Sequence, residues 1–226
     1  MLHALSLQDI PKFLSLSKLS KHKINMTKIK NIIFDFGGVL IDWDPVYLYR
    51  KIFDDEKEME HFLENICTSE WNVQQDAGRP LAEATELLQA EYPEHTELIG
   101  HFYTRWEEMI GGDIKKNVRV LEKLKPKFPI YGLTNWSAET ITIAYNKFDF
   151  FELMDGIVVS GDEKLIKPDP KLYQVLLDRY NLKANESLFI DDNINNIETA
   201  QKMGFHTIHI TEETNLEKEV KDMGLL

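Results

Sequence analysis

The chain has 226 residues, with 26 Lys and Arg against 38 Asp and Glu, for a formal net charge of −12. That length suits one medium domain or a core with a smaller insert, and 43% hydrophobic with 28% charged residues is the balance of an ordinary soluble globular chain. No apolar run reaches the roughly 20 residues of a membrane helix, and the acidic balance disfavours a nucleic-acid partner, whose phosphates attract Lys and Arg.

Residues 1–26 differ in composition from the rest of the chain. Lys12, Lys18, Lys21 and Lys23 face a single acid, Asp9, so without residues 1–25 the net charge falls to −15. The stretch has neither the compact apolar run and cleavage site of a secretory signal nor the Arg of a transit peptide. It reads as a loosely ordered extension, or as the product of a start codon upstream of Met26. The single cysteine, Cys67, has no disulfide partner and no metal-ligand spacing, which points to a structural thiol in a reducing, cytoplasmic setting.

From Asn31 the run Ile32-Ile33-Phe34 is continuous, apolar and β-branched, the pattern of a strand buried on both faces. Residues 43–112 then read as mostly helical, with helices predicted over 46–52, 56–67, 81–91 and 97–109 and a turn at Gly78-Arg79-Pro80. Further short apolar runs follow at 129–133, 156–159, 187–190 and 206–210, separated by helical patterns over 117–125, 138–147, 170–180 and 193–203. This alternation predicts an α/β fold with a doubly wound, mainly parallel sheet. Its core would comprise 27–42 and 113–226, with 43–112 inserted as a small helical cap domain.

In such a sheet, ligands bind beyond the carboxyl ends of the strands. Those ends deliver Asp35, Thr134-Asn135 and Asp191-Asp192 to one rim, with Lys167 arriving on a loop. Three close carboxylates remain ionised together only beside a cation, and Mg²⁺ is the fitting ion for oxygen ligands plus a substrate phosphate. Asp191-Asp192 before Asn193 also suits a helix N-cap, and both readings can hold at once.

The order of these groups resembles the haloacid dehalogenase superfamily, most of whose members are Mg²⁺-dependent phosphohydrolases. The first motif stands as Ile32-Ile33-Phe34-Asp35-Phe36-Gly37-Gly38-Val39-Leu40 and the second as Gly132-Leu133-Thr134-Asn135. Lys167-Pro168-Asp169-Pro170 matches the third, and Leu188-Phe189-Ile190-Asp191-Asp192 the fourth. The gaps of 99, 33 and 24 residues suit a cap inserted after the first motif.

The resemblance implies a Rossmann-like core with Asp35 as nucleophile, forming an aspartyl-phosphate that water hydrolyses. Lys167 would hold nucleophile and phosphoryl group together, while Thr134 Oγ and the Asn135 amide would donate to phosphate oxygens. The metal would take Asp35, the Gly37 carbonyl and Asp192, with Asp191 direct or through water, and Asn196 would support the loop. The departure is Gly37, where phosphatases of the family commonly carry a second Asp that protonates the leaving alcohol. Relatives with an Asp-x-Gly-[Gly/Asn]-Val motif share the absence. It predicts a slower enzyme, an easily departing leaving group or a substitute acid, with Asp42 and Asp44 nearest in sequence.

Trp43 and Trp136 are candidates to border the substrate, with core packing an equal alternative. Arg79 reads as a cap salt bridge ahead of an anion contact, and the His residues as surface or structural. The leading expectation is a Mg²⁺-dependent phosphatase acting on a small phosphorylated metabolite, a sugar phosphate among the candidates. A 2-haloacid dehalogenase and a catalytically weakened phosphometabolite- or partner-binding module are the alternatives. The expected assembly is a monomer or small homo-oligomer without nucleic-acid or membrane partners.

Overall fold

The computed structural model describes residues 28–226, so the extension expected over 1–26 lies outside the described residues. In chain order the elements are β1 (Asn31–Phe34), β2 (Ile41–Trp43), α1 (Val46–Tyr49), α2 (Glu56–Asn65), α3 (Ser69–Asp76), α4 (Leu81–Glu91) and α5 (Thr96–Thr104). There follow β3 (Ile110–Asp113), α6 (Lys115–Leu124), β4 (Ile130–Thr134), α7 (Ile141–Lys147), β5 (Gly156–Val159) and α8 (Ser160–Glu163). The chain closes with α9 (Pro170–Arg179), β6 (Ser187–Asp191), α10 (Ile194–Lys202), β7 (His206–His209) and α11 (Leu216–Asp222). Among the described residues no helix is long and apolar enough to cross a membrane.

Five strands form one parallel sheet in the order β5-β4-β1-β6-β7. β1 is central: Ile33 registers with Tyr131 on one side and with Phe189 on the other. Successive side chains of a strand point to opposite faces, and here both faces are covered. Ile33, Leu133 and Phe189 pack with Leu172, Tyr173 and Leu176 of α9 and Ile197 of α10. Ile32, Phe34 and Ile190 pack on the other face with Leu121 and Leu124 of α6 and Ile141 of α7. Order along the chain reverses at β1, since β4 and β5 lie to one side and β6 and β7 to the other. The crevice beyond the carboxyl end of β1 is therefore the topological switch point.

A second, two-stranded antiparallel sheet joins β2 to β3, an element the sequence pattern did not reveal. Trp43 closes β2. The pairing brings both ends of the helical segment α1–α5 together beside the first motif, where the Ile114 N–H donates to the Leu40 carbonyl at 2.8 Å. Aromatic side chains fill that segment: Tyr49 packs on Phe62 with centroids 5.0 Å apart, and Trp71 meets Phe102 edge-on at 5.1 Å. Cys67 is buried among them and burial pushes its thiol up to about 12, which leaves a packing role.

Two further differences from the sequence pattern have local causes. Residues 97–109 break into α5 and a 3-10 turn over Trp106–Met109. Ser69–Asp76 is a helix that the pattern missed, because one of its buried side chains, Gln75, is polar. Its start is marked by Thr68, whose hydroxyl accepts the Trp71 N–H at 3.1 Å. Elsewhere the start signals operate as read: Asp169 accepts the Lys171 N–H at 2.9 Å ahead of Pro170, and Asn193 caps α10.

The first-motif loop is held from below by Phe36, fully buried and edge-on to Phe151 at 5.0 Å. Its ring lies directly on Gly132 of β4, where any added Cβ would collide with it. Gly132→Ala is therefore expected to destabilise by about 1–3 kcal/mol through overpacking, read as a fall in Tm of about 2–4 °C per kcal/mol. An unchanged Tm would show that Phe36 has room to move.

Candidate active site

β1 ends at Asp35, whose backbone N–H still follows the ladder and donates to the Ile190 carbonyl at 2.9 Å. One carboxylate oxygen accepts the Phe36 N–H at 2.7 Å, and the other meets Lys167 Nζ at 2.9 Å. The Lys167 side chain is wholly buried, and its ammonium also donates to Asp191 Oδ2 at 2.7 Å and to the Leu133 carbonyl at 2.9 Å. All three N–H donors are thus matched, one each to the ends of β1, β4 and β6. Burial pulls the ammonium toward neutrality, but Asp191 and Asp35 outweigh that and hold its pKa above the usual lysine value.

Lys167 is placed by Asn135. The Asn135 Nδ2 donates to the Lys167 carbonyl at 2.9 Å, and the Lys167 N–H donates to Asn135 Oδ1 at 2.8 Å. The side-chain amide expected to meet phosphate is thus bonded at both ends to the lysine backbone. Thr134 Oγ1, in contrast, is buried without a hydrogen-bond partner among the described residues. An unpartnered buried hydroxyl costs free energy unless something arrives to bond it.

The acidic pair divides its work. Asp191 is fully buried: Oδ1 accepts the Asn193 N–H at 2.7 Å, Oδ2 accepts Lys167, and Asn196 Nδ2 reaches both oxygens at 3.0 and 3.1 Å. Asn196 is in turn fixed through its carbonyl by the Tyr173 hydroxyl at 3.0 Å. Asp192 is exposed, and its carboxylate forms no side-chain hydrogen bond or ion pair with another of the described residues. It lies over Gly38, where an added Cβ would strike Oδ2, so the positive φ of 67° and the close approach both require glycine there.

Carboxylate oxygens of Asp35, Asp191 and Asp192 lie within 4.8 Å of one another. Three acids face one ammonium, and the imbalance raises proton affinity. Burial, opposed by Lys167 and reinforced by Asp191 and Asp192, pushes Asp35 up to about 7. Asp192 is raised as well, by partial desolvation of its carboxylate and by Asp191.

A small cavity of about 80 Å³ opens beside this cluster, room for several waters. Gly37, Asn135 and Trp136 line it from the sheet, and Trp43, Asn72, Asp76 and Trp106 from the far side. Trp43 and Trp106 pack at 5.0 Å, and both indole N–H groups are buried without a partner among the described residues. Trp136 donates to Thr140 Oγ1 at 3.0 Å. Asp76 is half-buried and in no ion pair among the described residues. Burial pushes its carboxyl up to about 7, while the Ser137 backbone N–H pulls the other way.

Asp42 and Asp44 are committed elsewhere. Asp42 accepts the Tyr47 hydroxyl at 2.9 Å, and Asp44 accepts the Val46 N–H at 2.8 Å. Arg79 bonds Gln75 Oε1 at 2.8 Å and forms no salt bridge among the described residues, contrary to the ion pair expected for it. Asn72 and Trp106 were not legible as cavity residues, and Asp76 stood out only within the polar run Gln74-Gln75-Asp76 of the expected cap. Recognising the Thr68 cap would have placed Asn72 and Asp76, four apart, on one face of α3.

A family model described as haloacid dehalogenase-like hydrolase matches residues 29–204. Over 190 residues the chain is 28% identical to the sesquiterpene phosphatase astK of Aspergillus oryzae, covering 82% of this chain and 92% of that protein. It is 33% identical over 96 residues to the (S)-2-haloacid dehalogenase 4A of Burkholderia cepacia, 42% of each. A solved HAD family enzyme from Bacteroides thetaiotaomicron, in complex with magnesium and inorganic phosphate, superposes with a TM-score of 0.65 at 21% identity. That match covers 84% of this chain and 98% of the other, and it shows the shared fold.

The carboxylate crowding has a measurable sign. With its folded-state pKa raised from 3.8 to about 7, Asp35 binds more protons in the metal-free fold than in the unfolded chain, so stability falls as pH rises through that window. Metal-free Asp35→Asn should therefore melt above the wild type at pH 8, by about 1–4 kcal/mol at about 1.4 kcal/mol per pKa unit, with the difference closing toward pH 4. Equal Tm values at both pH would mean that Lys167 alone neutralises the cluster.

Proposed function

The chain belongs to the haloacid dehalogenase-like hydrolase family, and from that premise we propose that it is a Mg²⁺-dependent phosphatase that hydrolyses a small phosphorylated metabolite. The observation that carries the reading is the buried Lys167 ammonium bonded to Asp35 beside an acidic pair, one member of which is left without a side-chain partner. Such a centre presents a nucleophile, positive charge for phosphate oxygens and a free carboxylate for a cation.

The donor set fits Mg²⁺, since it consists of oxygens gathered within 4.8 Å. Asp35, the Gly37 carbonyl and Asp192 would hold the ion, with Asp191 acting through its hydrogen bonds. Bound there, it would supply positive charge against the phosphoryl oxygens. The protein's own groups do the rest. A carboxylate oxygen of Asp35 attacks phosphorus in line with the leaving oxygen, giving an aspartyl-phosphate. Lys167 keeps that carboxylate aimed and balances charge on the phosphoryl group. Thr134 Oγ1, unpartnered at the strand end, donates to a phosphoryl oxygen. Water then attacks the same phosphorus and returns Asp35 as carboxylate.

The relative that is named a phosphatase matches over 92% of its own length, and the one named a dehalogenase over 42%. Charge points the same way, because Asp192 without a bound cation would repel the carboxylate of a haloacid. The helical segment 43–112 would act as a cap, and its indoles suit a compact leaving group that is partly apolar.

A panel of phosphorylated metabolites with p-nitrophenyl phosphate, assayed with Mg²⁺ and with EDTA, tests the reading. Turnover should require Mg²⁺, and Asp35→Asn should lower it by at least about 10³-fold. Turnover that survives EDTA, or chloride release from 2-chloropropionate unaffected by EDTA, would overturn it.

A further inference from the structure

Gly37 removes a side-chain acid from the first motif and leaves space in its place. A Cβ built there meets nothing within 4 Å, and the residue lines the cavity. Across that cavity stands α3. Of the described residues lining the cavity, Asp76 alone has a side chain that can donate and recover a proton near neutral pH. Trp43 and Trp106, whose indole N–H groups are buried without a partner among the described residues, belong to the same lining.

Asp76 is also held in place. It is the last residue of α3, and its carbonyl accepts the Ser160 hydroxyl. The Ser160 oxygen in turn accepts the Trp136 N–H at 2.9 Å, so α3 is tied to the ends of β4 and β5. Immediately after Asp76 the chain turns at Gly78, with φ 95°, close against the Gly161 carbonyl. A side chain there would meet that carbonyl at 3.0 Å. The helical segment therefore touches the core next to the carboxyl group in question.

We propose that Asp76 is the general acid and base of the phosphatase reaction, supplied from the helical segment in place of the acid missing at Gly37. The inference rests on the phosphatase reading. As Asp35 forms its bond to phosphorus, the P–O bond to the leaving group breaks and its electron pair stays on that oxygen. The Asp76 carboxyl gives its proton to the oxygen, and the alcohol departs. The resulting Asp76 carboxylate then takes a proton from the water whose oxygen attacks the aspartyl-phosphate. Inorganic phosphate leaves, Asp35 is again a carboxylate, and Asp76 is again protonated. The balance is ester plus water to alcohol plus phosphate. A carboxyl raised toward neutrality by burial suits both halves, being acid enough to donate and basic enough to recover the proton.

The test compares wild type, Asp76→Asn and Asp76→Asn with Gly37→Asp on alkyl, phenyl and p-nitrophenyl phosphates in Mg²⁺. Alkyl phosphates need a proton on the departing oxygen, whereas p-nitrophenolate leaves without one. Asp76→Asn should lower kcat/KM, which reports the step that releases the alcohol, by about 10²–10⁴-fold on the alkyl ester and by about tenfold or less on the p-nitrophenyl ester. Gly37→Asp, entering open space, should recover part of the alkyl activity. A uniform loss of kcat/KM on all three esters, or no loss, would overturn the role of Asp76. Wild-type rates alone give a check that needs no variant: a shallow dependence on the leaving group supports an internal acid, and a steep one overturns it. Wild type inert toward every ester would remove the phosphatase reading itself, and the role of Asp76 with it.

Discussion

A buried ammonium that must find three acceptors organises this molecule. Lys167 has no access to water, and an unpaired charge at that depth would cost several kcal/mol. The sheet supplies the acceptors at the ends of three strands, Asp35, Leu133 and Asp191. Parallel strands in register bring those ends level, and the reversal of order at β1 lets β4 and β6 flank it. Fold and site are thus one constraint: a slip of one residue in β1 against β6 would turn Asp35 away from the rim. The supporting bonds follow the same logic, with Asn135 fixing the lysine backbone and Asn196 fixing Asp191.

Removing Asp191 from the ammonium would strand charge, yet keeping every carboxylate leaves the site too negative. That tension gives the cluster its chemistry. Asp191, saturated by hydrogen bonds, is a fixed counter-charge to Lys167. Asp35 and Asp192 carry the remainder, and both respond by binding protons more strongly than ordinary aspartates. A cation relieves the same strain, so the carboxylates that repel one another are also those a hard metal would join. Thr134 adds an unpartnered hydroxyl, and the site is incomplete in hydrogen bonds as well as in charge.

The sheet and its rim were legible because each depends on short-range pattern. Ile32-Ile33-Phe34 and Leu188-Phe189-Ile190 are apolar on both faces and stop at acids, and both became neighbouring central strands. Asp35, Thr134, Lys167 and Asp191 could be named because strand ends in a parallel sheet share one side. The far wall of the cavity had no such rule. Trp106, Asn72 and Asp76 reach it through the packing of helices whose mutual angles are set by Tyr49, Phe62, Trp71 and Phe102, side chains distant in sequence. The pairing of β2 with β3 was hidden for a related reason. Its strands are three and four residues long and 66 residues separate them, with two glycines in β3, and a pairing closed over so long a loop leaves little local signal.

Two adjacent glycines show where sequence pattern stops and geometry begins. In the sequence Gly37 and Gly38 are one feature, a pair that resembles a phosphate-cradling loop. In the structure they answer opposite demands. Gly38 is glycine because its backbone is left-handed and the Asp192 carboxylate occupies the position of any side chain. Gly37 has no steric reason to be glycine, since its missing side chain points into open space. The first glycine is thus a chemical choice and the second a structural one. A larger residue at Gly37 would fill the space that α3 and the indoles of Trp43 and Trp106 enclose, so its smallness and the inward approach of the helical segment belong to the same design. The loop after β1 and the end of α3 then face one another across one cavity, with α3 held to the loops after β4 and β5 through Ser160.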